Sequence, residues 1–90
     1  MLTPKPGNAF RQDVQRQARR GKDIVKMLSP LSLLLNGESL PGHYLDHPLQ
    51  GDWFGYREFH IDPDWVVVYR SVDEFLVLER TGTHADLFKR

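Results

Sequence analysis

Residues 53–79 read WFGYREFHIDPDWVVVYRSVDEFLVLE, and this stretch decides the fold. Trp53 to Ile61 reads as a strand. Asp62-Pro63-Asp64 then supplies a turn, because aspartate side chains bond their own local backbone and proline presets φ. Trp65 to Tyr69 is a run of aromatic and β-branched residues suited to a buried strand. Ser71 to Glu74 is a second turn, and Phe75 to Glu79 is a third strand. Three strands joined by short turns make an antiparallel meander.

Working outward, Leu2 to Lys5 is expected to form a short first strand, with Pro4 confining it to an edge. Asn8 is expected to cap a helix whose apolar stripe is Phe10, Val14 and Ala18, ended by Gly21. A second helix is expected from Lys22 or Asp23, burying Ile24, Met27, Leu28 and Leu31. Pro30 lacks an amide donor, so a kink or restart is expected near Ser29. Asn36-Gly37 is a stop signal. Thr83 stands three residues before Asp86, the spacing of a capping box opening a short last helical turn. The expected architecture is α+β: an N-terminal edge strand, a helical hairpin and a three-stranded meander, with the helices on one face of a mostly antiparallel sheet.

Ninety residues suit one domain, expected over 1–90. With 40% hydrophobic residues the core is thin. There is no cysteine, which excludes disulfides and thiolate metal sites. The apolar cluster Leu31 to Leu35 is too short to span a bilayer, and the first residues lack a signal-peptide core. The chain is therefore expected to be soluble and cytoplasmic, with no membrane partner. Its net charge of zero hides an asymmetry. Residues 1–27 carry seven basic and two acidic side chains, a net of +5, and residues 28–90 carry five basic and ten acidic ones, a net of −5. Arg11, Arg16, Arg19, Arg20 and Lys22 lie mostly off the apolar stripe of the first helix. They face either solvent or a polyanion.

All four histidines, His43, His47, His60 and His84, lie in the second half. His60 and Asp64 flank one turn. The third meander strand runs in the direction of the first, so His84 reaches the same end of the sheet. His47 joins them if its loop folds back. Imidazoles give and take protons near neutrality, so three of them beside a carboxylate suit acid–base chemistry. The spacings of 13 and 24 residues match no compact zinc pattern, and neither metal nor cofactor is expected. Trp53, Tyr56, Trp65 and Tyr69 read as core or sheet-face aromatics, with room for one or two to stack on a base. Arg57 and Arg80 suit either a phosphate clamp or a surface ion pair.

The blocks DHPLQG (46–51), W-x-G-Y-R-E (53–58), H-x-x-P-D-W (60–65) and R-T-G-T-H-x-x-L-F (80–88) together resemble the YafQ-type branch of the RelE/ParE toxin superfamily. The first half is similar through F-x-x-D (10–13), the basic helix and Leu-Leu-Asn-Gly (34–37), and departs in Pro30 and in its neutral charge. The resemblance implies a RelE-like fold and metal-independent cleavage of mRNA in the A site of the 70S ribosome. It implies His47, His60, Asp64 and His84 as catalytic residues and Phe88 as an orienting one. The ribose 2′-hydroxyl would be the nucleophile, with His84 as acid, His47 or His60 as base, and Arg80 on the phosphate. Arg57 and Trp65 are further candidates for RNA contact. Arg11, Arg16, Arg19, Arg20 and Lys22 would meet 16S rRNA. The expected partner is a ribbon–helix–helix-type antitoxin. The alternatives are a non-enzymatic, gyrase-poison type of superfamily member and a degenerate toxin.

Overall fold

A computed structural model describes residues 1–88. Strand β1 (Thr3–Pro6) leads into helix α1 (Asn8–Arg19). A 3-10 turn (Ile24–Met27) runs directly into α2 (Leu28–Leu35). After a connection holding a 3-10 turn at Gly42–Tyr44 comes the two-residue β2 (His47–Pro48) and a further 3-10 turn at Gly51–Trp53. Strands β3 (Arg57–Asp62), β4 (Trp65–Val72) and β5 (Phe75–Gly82) form the meander, and α3 (His84–Phe88) follows at once.

The sheet order is β1-β5-β4-β3-β2. β1 lies on the edge, parallel to β5, as its two prolines require. The first meander strand begins at Arg57, not Trp53, because residues 51–53 coil into a 3-10 turn. The other two strands run three residues longer than expected. β2 was unforeseen: two residues carry no period, yet His47 pairs with Glu58. Both meander pairings shift register, between His60 and Asp62 on β3 and opposite the Val68–Tyr69 step. Such bulges redirect side chains at strand ends.

One sheet face packs on α1 and α2. Phe10, Met27, Leu34, Phe59, Trp65, Val67, Tyr69, Leu76 and Leu78 form that core. The buried positions of α1 are Phe10, Asp13 and Gln17. Ala18 is exposed, so the real stripe follows i, i+3, i+7 and includes two polar residues. Gly7, not Asn8, occupies the N-cap. Leu28, expected inside, is exposed. The restart near Ser29 appears as the passage from 3-10 turn to α-helix. Pro30 sits in the first turn of α2, where its missing N–H has no intrahelical partner to lose. Gly37, at φ +76°, takes the left-handed step that stops this helix after Asn36. Among the described residues no helix is long and apolar enough to cross a membrane.

The opposite face is covered more thinly. Val66, Val68 and Leu87 are buried there beneath Leu49, Trp53, Tyr56 and Phe88. The strand period of two puts Glu58 and His60 on this side, while Phe59 points into the main core.

Candidate active site

Four elements bring the histidines together. His47 stands on β2, Glu58 and His60 on β3, Asp64 in the β3–β4 turn, and His84 at the start of α3. The centre of the cluster is Glu58, whose residue is only 4% exposed. Its Oε2 lies 3.0 Å from His47 Nε2, 3.5 Å from His60 Nε2 and 3.3 Å from His84 Nε2. Its Oε1 is buried without a hydrogen-bond partner among the described residues. Three imidazoles thus share one carboxylate oxygen.

Each ring is fixed at its other nitrogen. His47 Nδ1 lies 3.0 Å from the Pro48 carbonyl oxygen and His60 Nδ1 lies 3.3 Å from that of Pro63. His84 Nδ1 lies 3.3 Å from Asp64 Oδ1, which also accepts from the His84 backbone N–H at 3.2 Å. The bond from the His84 amide, followed by that of its ring, holds the Asp64 carboxyl below its ordinary value. The ring centroids are 6.4 Å apart for His47–His60 and 5.5 Å apart for His60–His84. His43 stacks on Tyr44 and stands outside this set.

The cluster opens into a cleft of about 240 Å³ lined by His47, Leu49, Gln50, Trp53, Glu58, His84 and Phe88. Phe88 packs against His84 at 5.7 Å and edge-on to Trp53 at 5.8 Å. A cleft with imidazoles on its floor and aromatic rings on its wall can exchange protons with a ligand that also stacks. Its donors also suit a transition cation: atoms of His47, Glu58 and His60 lie within 4.8 Å of one another.

Two other expected site residues, Trp65 and Arg57, lie elsewhere. Trp65 is 0% exposed. Its Nε1–H donates to Thr81 Oγ1 at 2.9 Å, so the ring is a core residue and reaches no RNA. Arg57 points away from the histidines, into a second cleft, where it donates to Asp46 at 3.3 Å. Tyr69 donates to the same carboxylate at 2.7 Å. Burial first, then that bond, pushes the Tyr69 hydroxyl well above its ordinary value. Arg80 lies in the cross-strand row of Glu58 and Val68. Its guanidinium is bidentate to Asp13, Nε at 2.6 Å and Nη2 at 3.1 Å.

The basic helix divides in two. Arg16 is paired with Asp13 at 3.0 Å, and Arg20 with Asp86 at 2.6 Å. Arg11, Arg19 and Lys22 are exposed and make no ion pair among the described residues.

Comparison with known proteins gives a consistent result. The family described as "Bacterial toxin of type II toxin-antitoxin system, YafQ" matches residues 2–89. The mRNA interferase toxin YafQ of Escherichia coli K12 is 48% identical over 80 residues, covering 88% of this chain and 87% of that protein. The crystal structure of the E. coli DinJ-YafQ complex superposes with a TM-score of 0.89 at 43% identity, covering 98% of this chain and 99% of that one. A metal-bound toxin from Helicobacter pylori superposes with a TM-score of 0.91 at 32% identity, covering 98% and 100%.

Proposed function

The chain belongs to the YafQ family of bacterial type II toxins, and on that premise we propose that it is an mRNA endonuclease that cuts messages on the ribosome. It acts as one domain over 1–90, in the cytoplasm, and is neutralised by a ribbon–helix–helix-type antitoxin. The observation that carries this reading is the convergence of His47, His60 and His84 on one oxygen of Glu58, at a cleft lined by His47, Glu58 and His84.

The chemistry follows from that arrangement. A base, His47 or His60, takes the proton of the ribose 2′-hydroxyl. The 2′-oxygen attacks the adjacent phosphorus, and the bond from phosphorus to the 5′-oxygen breaks. His84 protonates that leaving oxygen, giving a 2′,3′-cyclic phosphate and a 5′-hydroxyl. Asp64 keeps His84 turned toward the cleft through the bond to Nδ1. Glu58 holds the three rings and stabilises whichever is protonated. Phe88 and Trp53 provide faces for a base. Arg80 contributes positive charge to the phosphate through the terminal nitrogen that Asp13 does not hold. No step uses a metal. A cation taken up by His47, Glu58 and His60 would occupy the groups that must move protons.

The exposed Arg11, Arg19 and Lys22 meet rRNA phosphates, whereas Arg16 and Arg20 act mainly within the chain. A non-enzymatic, gyrase-poison action leaves the histidine cluster without a role, and a degenerate toxin would keep the fold without cutting. The test is expression of the chain in growing bacteria, alone and with its antitoxin. The proposal expects fragmented messages, intact DNA and rescue by the antitoxin. Intact messages beside broken DNA would favour the gyrase-poison reading. A harmless protein that still co-purifies with the antitoxin would mark a degenerate toxin. In a reconstituted reaction, a transition-metal-selective chelator in magnesium buffer should leave the rate unchanged.

A further inference from the structure

We propose that Asp86, gripped by Arg20 at the C-cap of α1, is the positioning residue that sets His84 and Phe88 in the cleft. The proposal rests on the nuclease reading above. Helix α3 is five residues long. A helix so short has no stability of its own, so its placement must come from outside contacts. Its two ends carry the cleft: His84 opens it and Phe88 closes it. Asp86 lies midway and faces the other way.

The Asp86 carboxylate is held from three directions. Thr83 donates its backbone N–H to Oδ2 at 2.9 Å, while the Asp86 amide donates to Thr83 Oγ1 at 3.1 Å, a reciprocal cap. Arg20 donates from Nη1 to Oδ2 at 2.6 Å and from Nη2 to Oδ1 at 3.1 Å. Arg16 Nη2 approaches to 3.8 Å. The Arg20 fork is itself anchored, because Nη1 also donates to Oε1 of the buried Gln17 at 2.8 Å. The chain leaves room for this grip at Gly82, where a Cβ would stand 2.8 Å from Asp86 Oδ2. A planar, bidentate contact fixes orientation as well as distance. It therefore ties the axis of α3, and with it the His84 ring, to the long helix α1 across 66 residues of sequence.

A slip of roughly 1 Å in a catalytic group costs on the order of 100-fold in rate. The test uses purified full-length protein and programmed ribosomes, with the single variants Asp86→Asn, Arg20→Ala and Gly82→Ala and the Asp86→Asn/Arg20→Ala double variant. Gly82→Ala leaves both charged partners in place, crowds the carboxylate and strains the backbone at φ +156° just before α3. Each variant is first shown to be folded by circular dichroism. Asp86→Asn and Gly82→Ala are expected to lower kcat by about 10- to 100-fold with KM for ribosomes within about twofold. The Asp86→Asn/Arg20→Ala double variant should have a kcat no lower than Asp86→Asn, because both break one contact. The 15N shifts of the His84 ring should move in every variant, while those of His47 stay put.

Folded variants with wild-type kcat and an unmoved His84 ring would overturn the proposal. So would losses that multiply in the double variant. A loss confined to KM would overturn it as well, since it would make Arg20 a ribosome contact only. Failure of the wild-type protein to cut would refute the nuclease reading instead, and the His84 ring shifts would still decide the positioning role.

Discussion

Glu58 and Asp13 are both 4% exposed, and both collect three neighbours, yet the two carboxylates make opposite regions of the molecule. Asp13 accepts from Arg16 at 3.0 Å, from Arg80 at 2.6 and 3.1 Å, and from the Thr81 backbone N–H at 3.1 Å. Both of its oxygens are engaged by donors whose charge or proton never changes near neutrality. Glu58 is surrounded by imidazoles, side chains that can both give and take a proton. Three of them crowd one oxygen while the other goes without a partner. A saturated carboxylate is a strap between α1 and β5. An unsaturated one among imidazole rings is the centre of the proposed reactive cleft.

The comparison is most exposed to substitution at the cleft. His84→Ala removes the assigned acid, a change that typically costs a hundred- to ten-thousand-fold in rate, roughly. Glu58→Gln keeps the shape and removes the charge that the three rings share, so it should fall in the same range. Both should retain antitoxin binding and melt near the wild-type temperature, as read by ribosome-programmed cleavage and by calorimetry. Wild-type toxicity of His84→Ala at equal expression would remove the assigned role.

Asp13→Ala should show the opposite pattern. It strands Arg80, Arg16 and the Thr81 amide, and breaking a buried pair from one side costs about 3–5 kcal/mol. Urea denaturation should show that loss. Cleavage per folded molecule, measured well below the new melting point, should fall far less than in His84→Ala, since Arg80 loses its anchor while every proton-transferring group stays. A stable Asp13→Ala protein with no activity would reverse the contrast between the two carboxylates.

Outside both regions, reversing the charges of Arg11 and Arg19 should weaken ribosome binding and flatten its salt dependence, by about one unit of slope per lost contact. An unchanged slope would make that face solvated surface. Reversing Arg16 should instead show mainly in stability, since its guanidinium is paired inside the chain.

The smallest expected effect is in acid. The bond from Arg20 is the first cause holding the Asp86 carboxyl far below its ordinary value. Its folded value is therefore depressed relative to the unfolded one. The stability it contributes is complete above the ordinary carboxylate value near ~4 and is lost as pH falls toward the folded value. Asp86→Asn should be less stable than the wild type at neutrality, and the gap should narrow below about pH 4. Denaturation curves at pH 6 and pH 3 measure this, and a gap that widens in acid would contradict it.

The sequence carried the outline of this arrangement because the outline rests on local rules. The meander came from period and turn chemistry, and strand direction alone placed His60, Asp64 and His84 at one end. The pairing of His47 with Glu58 depends on a two-residue strand, which leaves no periodic trace. Glu58 was passed over because a lone glutamate in a strand usually faces water. Its spacing of two from His60, on a strand where Phe59 and Ile61 are the apolar alternates, is the signal that marks it. Asp13 was missed for a similar reason. The apolar stripe Phe10, Val14 and Ala18 leaves Asp13 off it, and Gln17 keeps helical spacing without being apolar, although the i, i+3, i+7 spacing from Phe10 puts both inside. Trp65 and Arg57 show the limit of residue type as evidence. The tryptophan's size sent it to the core, and alternation sent the arginine to the other face. Buried polar networks are set by tertiary partners, here Arg80 and Thr81, that lie nearly 70 residues away in sequence.

The proposed reaction is cleavage of ribosome-held messages in this histidine cleft by attack of the ribose 2′-hydroxyl. It is tested most directly by incubating the purified chain with a defined message, free or programmed on purified ribosomes, and analysing the new ends. The expected result is cleavage only on ribosomes, 5′-hydroxyl and cyclic or 3′-phosphate ends, and no product with His84→Ala. Ends bearing a 5′-phosphate, or equal cutting of the free message, would contradict it.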